Sequence, residues 1–381
     1  MKVLIAGDFC QKAGVNDLVL TGKYDFFDNI KPIIKEADYS IVNFEFPVVL
    51  SPDRAHPIYK AGPCLKGTVE GVKAVKHAGF NCCTLANNHT LDQGEQCLLD
   101  TIDAIANEGL DCVGAGANIE VAEHTLYKEI NGETLAIINC CEHEFTIATD
   151  NTPGANPLKP IQQYYKIKEA REQADYVLVI VHGGHEHYQL PSVRMKDTYQ
   201  FFIDAGADAV VNHHQHCYTG YEVYQGKPIF YGLGNLLFED PLMKGTKTWE
   251  EGYMAMIDFN KENIGFGQVP HVQCRSGISV TPLSSSERKP FDNSIIELNA
   301  IIADRKRLKA HNEAYYDRCA RGELTLLEPY RGRVLMKLFL LGLLPRIIKN
   351  KKLLGILNHI NCESHRDKML HALLQENAKH N

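Results

Sequence analysis

Several things that the 381-residue chain lacks narrow its class. Its longest apolar run near the C-terminus, Leu338 to Leu344, falls far short of the ~20 residues that cross a bilayer, so no span is expected. The opening MKVLIAGDF has no charged leader followed by an apolar stretch and a small-residue cleavage site, and secretion by signal peptide is not expected. No CxxC pair occurs, which leaves a zinc ribbon or a thioredoxin-type redox site without support. No internal repeat is evident. Gly114-Ala115-Gly116 lacks the third glycine and the lysine of nucleotide loops and reads as a tight turn.

What is present is ordinary globular composition, 44% hydrophobic and 23% charged, which excludes a disordered, collagen-like or small disulfide-stapled protein. The length suits one large α/β domain with an appendage, or two domains. Of the twelve cysteines, Cys82-Cys83 and Cys140-Cys141 sit inside apolar runs, where thiols behave as small buried hydrophobes. A reducing cytoplasm is the expected location. The net charge of −7 is unevenly spread: residues 286–381 carry 18 Lys and Arg against 11 Asp and Glu, and the rest carry 22 against 36. An acidic body is not expected to bind nucleic acid, and any anion-seeking surface should lie in the tail.

Short apolar segments alternate with amphipathic ones through the first 230 residues, the pattern of an α/β fold. Val3–Ala6, Tyr39–Phe44, Asn81–Leu85, Leu135–Cys140, Tyr176–Val181 and Ala209–Val211 read as buried strands. Thr68–His77, Glu95–Ala106 and Val193–Ile203 read as helices. Asp150 to Pro160, with three prolines, reads as a loop. From Glu222 to about Thr281 the period shifts toward two, with strands expected at Pro228–Tyr231, Tyr253–Phe259 and Gly277–Thr281. After Ser284-Ser285-Ser286 the chain turns basic and helical, which puts the expected boundary between residues 285 and 286.

Five polar clusters stand at the ends of these strands, where open α/β sheets place ligands. They are Gly7-Asp8; Asn43-Phe44-Glu45; Asn87-Asn88-His89 with Asp92 and Gly94; His182 with Glu186; and His214-Gln215-His216. A lone histidine at a strand end is more often structural. Five successive strand ends, each with a metal-competent or proton-transferring side chain, are poorly explained by independent accidents. Imidazole, carboxylate and amide donors suit Zn, Mn or Fe. Two such ions can share a bridging carboxylate, for which Glu45 is the candidate, and a bridging hydroxide that attacks an ester. His89 is placed to protonate a leaving group, and Asp92 could orient it or cap the following helix.

At this point a resemblance becomes specific. The ordered segments GDF, NFEFP, LANNHTLDQG, GAGAN, HGGHEHYQLP, AGADAVVNHHQHCYTGYE and GKPIFYGLGNLLFE resemble the CapA family of capsule and poly-γ-glutamate synthesis proteins over about residues 1–260. That family is similar to the calcineurin-like metallophosphoesterases, which implies a sandwich of two sheets flanked by helices and a site for one or two divalent ions. By position, the resemblance implies one ion held by Asp8, Glu45 and His216 and another by Glu45, Asn88, His182 and His214. His89 falls on the histidine of the Asn-His pair, and Glu186 on a glutamate that could support a ligand or touch substrate. The chain departs from the phosphoesterase pattern at Cys10, where a histidine would stand, and in bridging through Glu rather than Asp. Members of the CapA family commonly carry an N-terminal extracellular anchor, which is not expected here from the opening MKVLIAGDF.

His185 and His187 read as rim positions, and Tyr188, Tyr218 and Tyr221 as core or pocket lining. Trp249 reads as part of a loop. Residues 329–362 contain no Asp or Glu, but carry Arg331, Arg333, Lys337, Arg346, Lys349, Lys351 and Lys352 among leucines and isoleucines. That composition fits either a packed amphipathic appendage or peripheral contact with an anionic membrane, at its inner face for a cytoplasmic protein. Two functions follow. One is a metal-dependent hydrolase or transferase, phosphoesterase-like, acting on a polyanionic polymer, phosphoester or acyl linkage in capsule, exopolysaccharide or poly-γ-glutamate production. The other is a non-catalytic assembly or export factor on the same fold.

Overall fold

The computed structural model describes residues 1–377. Its strands, in chain order, are β1 (Lys2–Cys10), β2 (Tyr39–Phe44), β3 (Cys82–Thr84), β4 (Asp111–Val113), β5 (Ala115–Gly116), β6 (Leu126–Ile130), β7 (Glu133–Cys141) and β8 (Gly154–Ala155). They continue with β9 (Tyr176–His182), β10 (Ala209–His213), β11 (Tyr221–Tyr224), β12 (Lys227–Phe230), β13 (Asn235–Phe238), β14 (Glu251–Asp258), β15 (Gly265–Gln273) and β16 (Val280–Pro282). One sheet has the order β16-β15-β14-β1-β2-β3-β4, with β13 also paired to β1. The other runs β11-β12-β10-β9-β7-β6. The expected α/β sandwich of helix-flanked sheets, followed by C-terminal helices, is the observed architecture.

Period-two burial explains the layers. Val3 and Ile5 of β1 share a core with β7, β9 and β10 of the second sheet, whereas Leu4 and Ala6 face Phe26, Phe27, Val72 and Val75 on the helical side. The interior strands β9 and β10 are buried on both faces, so they read as unbroken apolar runs. Four of the six expected early strands end later than their apolar runs did: β1, β7, β9 and β10 extend to Cys10, Cys141, His182 and His213. Backbone pairing carries them past the hydrophobic segment and up to the polar residues.

The alternation in β1 ends at Gly7-Asp8, where its register shifts against both β2 and β13. The backbone of Gly234 passes so close that a Cβ on Gly7 would lie 1.9 Å from its carbonyl oxygen. Asp8 N–H donates to that oxygen at 3.3 Å. β14 pairs with the first half of β1 and β13 with the second, so this kink is where one neighbour replaces the other. It leaves Asp8 fully buried.

Three readings of the sequence need correction here. The segment Asp150–Pro160 contains β8, which pairs with β5, and Trp249 lies in a short helix, Lys247–Glu250, with its indole buried. The serines at 284–286 are a helix start and no linker. Ser284 and Glu287 form a capping box for the helix Ser285–Ala303, and its Phe291, Ile295, Leu298 and Ile302 join the main core. Phe291 packs on Tyr218 with ring centroids 4.6 Å apart, and Asn299 Oδ1 accepts from Tyr221 N–H at 2.7 Å. The compact body therefore runs to Leu308, past the expected 285/286 boundary, and a second unit begins at Lys309. Phe291→Ala or Ile295→Ala should cost roughly 2–5 kcal/mol in denaturant unfolding of the body, whereas Ile296→Ala, 65% exposed on the same helix, should stay within about 0.5 kcal/mol.

Candidate metal centre

The carboxyl ends of strands from both sheets meet at one place. β1, β2 and β3 bring Asp8, Glu45 and the Asn87-Asn88-His89 loop; β9 and β10 bring His182, His214 and His216. All are buried. One ligand atom each from Asp8, Glu45 and His216 can be chosen so that all lie within 4.8 Å of one another. His182, His214 and Asn88 join pairwise: His182 Nε2 is 3.1 Å from Asn88 Oδ1, 3.1 Å from His214 Nδ1 and 3.8 Å from Glu45 Oε1.

Local structure fixes the loops. Asn87 donates from Nδ2 to the Phe44 carbonyl at 2.9 Å, and its Oδ1 accepts from His89 N–H at 3.1 Å, which ties the β3 loop to the end of β2. His214 and His216 have φ of 94° and 52°, the left-handed region that non-glycine residues seldom occupy. Two such residues flanking Gln215 store strain that the surrounding packing sustains, a pattern that clusters at functional sites.

Glu45 decides whether the donor set fits a divalent ion. Its Oε1 is buried and accepts no hydrogen bond, yet His216 Nε2, His182 Nε2 and His89 Nε2 stand 3.7, 3.8 and 4.0 Å away. These gaps are too long for hydrogen bonds. Two ligands about 2.1 Å from a shared tetrahedral ion would lie about 3.4 Å apart, close to what is seen. The residues fit.

Electrostatics point the same way. Burial and the nearby Asp8 charge push the Glu45 carboxyl well above its usual range. Burial also raises Asp8, but the hydrogen bond to His216, the charges of His213 and His216 and a hydrogen bond from Asn43 outweigh it and hold that carboxyl low. Burial lowers His216, yet Glu45 and Asp8 overcome it and lift the imidazole to about 10. Burial and neighbouring histidines push His182 well down and His214 to about 4, so both rings present lone pairs. Two clustered acids beside neutral imidazoles form a donor set whose chemistry suits a divalent cation.

Four residues outside the expected set complete the centre. Asn43 Nδ2 lies 2.7 Å from Asp8 Oδ1, 3.3 Å from Glu45 Oε2 and 3.3 Å from His182 Nδ1. Glu144 takes the outward atoms of two ligands: its Oε2 accepts from Asn88 Nδ2 at 3.4 Å and its Oε1 lies 3.7 Å from His214 Nε2. That leaves Asn88 Oδ1 and His214 Nδ1 turned to His182. Asn235 Oδ1 is 2.9 Å from His216 Nδ1, which leaves Nε2 for Glu45. Lys60, nearly fully buried, forms an ion pair with Asp92. Asn43 shares a cluster with Glu45, and the CEHE run follows a predicted strand, so both obeyed the strand-end rule; nothing in the sequence around Lys60 marks it.

The remaining expected residues are placed as follows. His89 Nδ1 is 2.6 Å from Asp92 Oδ2, which also accepts from Leu65 N–H at 2.6 Å. Asp92 therefore orients His89, and the helix Glu95–Asn107 begins at Gly94 with no side-chain cap. Glu186 is half-exposed, with Oε2 4.0 Å from His187 Nε2, and its charge is felt by Glu45, Glu144, His214 and His216. It sits at the rim, outside the ligand cluster. Cys10 is fully buried, and burial and the Glu45 charge push its thiol far up, so it stays neutral. Trp249 packs on the His216 ring at 5.2 Å between centroids and donates to the Phe238 carbonyl at 3.0 Å, a wall of the centre.

The family profile described as "Bacterial capsule synthesis protein PGA_cap" matches residues 2–240. The chain belongs to this family. It is 35% identical over 246 residues to the capsule biosynthesis protein CapA of Bacillus anthracis, covering 63% of this chain and 60% of that protein. To the PGA biosynthesis protein CapA of Bacillus subtilis it is 33% identical over 275 residues, covering 71% and 67%. The chain thus spans about three fifths of the length of the Bacillus anthracis relative. Among solved structures it is similar to a novel phosphatase from Mycoplasma pneumoniae, with TM-score 0.45 and 14% identity over 76% of this chain and 96% of that one. A putative 5'-nucleotidase from Staphylococcus aureus gives TM-score 0.45 and 12% identity over 77% and 57%. Every expected ligand lies within PGA_cap-matched residues. No described helix is long and apolar enough to cross a membrane.

Loading the protein with Mn²⁺, Zn²⁺ or Fe²⁺ and desalting it should leave bound metal by elemental analysis. Glu45→Ala should abolish retention, and Glu144→Gln should weaken it by about 10–100-fold. Full retention by the Glu45 variant would contradict the assignment.

Proposed function

We propose that the chain is a metal-dependent hydrolase or transferase acting on a phosphoester or γ-amide linkage in capsule or poly-γ-glutamate production. The observation that carries the reading is the buried Glu45 Oε1, without a hydrogen bond and ringed by three imidazole nitrogens at 3.7–4.0 Å. Asp8, Glu45 and His216 would hold one ion, and Glu45, Asn88, His182 and His214 a second. When bound, a divalent ion supplies Lewis-acid polarisation of the substrate and lowers the pKa of a water toward 7.

The protein's own residues supply position and proton handling. Asp92 holds His89 Nδ1, so the atom that faces Glu45 is Nε2. Burial lowers the His89 pKa more than Asp92 raises it, and the neutral ring has a free lone pair at Nε2. His89 can thus take a proton from an attacking hydroxyl and return it to a leaving group, and the Asp92 carboxylate, itself paired with Lys60, favours that tautomer by accepting from Nδ1. Trp249 and Phe238 pack against His216 and limit water on that side. Burial favours such chemistry, because dipoles act more strongly in a dry site.

Cys10 favours a second reading, an assembly or export factor without catalysis, because a neutral buried thiol stands where phosphoesterases carry a ligand histidine. The two separate in one experiment: metal-loaded protein assayed against phosphomonoesters, phosphodiesters and poly-γ-glutamate. Turnover that depends on added metal supports the enzyme; metal retention with no turnover on any of the three supports the factor. If turnover is found, His89→Ala should keep its metal and lose roughly 10²–10⁴-fold in kcat, with Asp92→Asn losing less. Loss of metal by His89→Ala would make that ring a ligand instead.

A further inference from the structure

Helices Arg333–Leu340 and Asn350–Asn361 carry the tail's unbroken cationic stretch. Val334, Leu341, Leu343, Leu354, Leu357 and Ile360 are each 51% to 72% exposed. On the second helix Leu353, Leu354, Ile356, Leu357 and Ile360 fall within an arc of about 160° at 100° per residue, a continuous apolar face. An apolar surface of this extent is unusual on a chain that stays alone in water.

Within residues 329–362 the charges are of one sign and largely unspent. Between Pro329 and Cys362 there are seven Lys and Arg and no Asp or Glu. The nearest preceding acid, Glu328, is committed: its Oε2 accepts from Ile347 N–H at 2.8 Å and Ile348 N–H at 3.3 Å, and its Oε1 lies 3.8 Å from Arg346 Nε. Among the described residues, Arg346 is the one cation of the seven with an ion-pair partner. Phe339 alone of the stretch's large apolar side chains is fully buried, under Tyr330 at 5.4 Å and beneath Arg321, whose Nε donates to its carbonyl at 2.7 Å. This small core shapes the segment, and most of its leucines stay out of it.

From these observations we infer that residues 329–362 form a docking surface for an anionic lipid bilayer, on which the leucine face enters the interface while the lysines and arginines meet headgroups. Charge complementarity selects this occupant. A second copy placed face to face would set cations against cations, whereas an anionic leaflet neutralises them. The acidic residues 1–285, with 36 Asp and Glu against 22 Lys and Arg, are repelled by the same leaflet, so the attraction is confined to the tail. Contact of this kind holds the protein at a membrane without any spanning helix.

The test uses the full chain with vesicles of phosphatidylglycerol mixed into phosphatidylcholine, against pure phosphatidylcholine. Binding is expected only to the anionic vesicles, and it should fall as salt rises from about 0.05 to 0.5 M. Lys351→Ala with Lys352→Ala should lower the partition coefficient about 25-fold, at about fivefold per cation. Leu354→Gln with Leu357→Gln should weaken it further at high salt, where the apolar contribution remains. All four positions lie at the surface, and a thermal melt identical to the parent's confirms that the variants fold. Equal binding to both vesicle types, or no change in the lysine variant, overturns the inference. So does self-association in sedimentation velocity that Leu354→Gln with Leu357→Gln abolishes in protein that ignores lipid, which would assign the face to a second copy.

Discussion

A carboxylate buried in an acid-rich cleft sets the terms for everything around it. Glu45 cannot shed its charge into water, and Asp8 close by makes that charge harder to hold. Three imidazoles stand about its Oε1 at distances that a cation bridges and a hydrogen bond does not, and the Asn43 amide donates to its Oε2.

Around that centre a ring of polar residues does the aiming. Glu144 and Asn235 engage the far sides of Asn88, His214 and His216, so that the near atoms are the ones left for an ion. Asp92 does the same for His89, with Lys60 behind it. Each of these side chains thus has a fixed orientation, which is how metal sites in general gain affinity and selectivity from residues that never touch the metal. The bend at Gly7-Asp8 is the backbone counterpart, since it aims the first ligand by changing the strand that β1 pairs with.

Much of this was legible because buried parallel strands are continuous apolar runs, and the residue that ends such a run is exposed by contrast. Tyr39–Phe44 was read to its exact ends on that basis, and Asp8, Glu45, Asn88, His182, His214 and His216 were found as run-ending polar residues that do converge. Three things were not legible, for physical reasons. Sheet membership is non-local, so nothing in the local pattern tells that β1 to β3 belong to one sheet and β7, β9 and β10 to another. Lys60 lies in a stretch with no periodicity, and only tertiary packing brings its ammonium to Asp92. The three serines at 284–286 have the composition of a linker and also of a helix cap; the Glu three residues after Ser284 was the distinguishing sign.

The exchange of partners along β1 carries a consequence for how the chain is made. The neighbours on one side of β1, β13 and β14, follow it by more than two hundred residues of chain, so a ribosome delivers them long after β1. In the interval β1 offers an open hydrogen-bonding edge, and Asp8 and Glu45 lie in a half-built cleft that lacks His182, His214 and His216. Such long-range closure is slow and leaves the nascent chain open to mispairing. The polar cluster therefore matures late in biogenesis, after the last of its strands has closed the sheet, and a chain stalled before Asn235 emerges has Asp8, Glu45, Asn88, His182, His214 and His216 and no fixed position for the first of them.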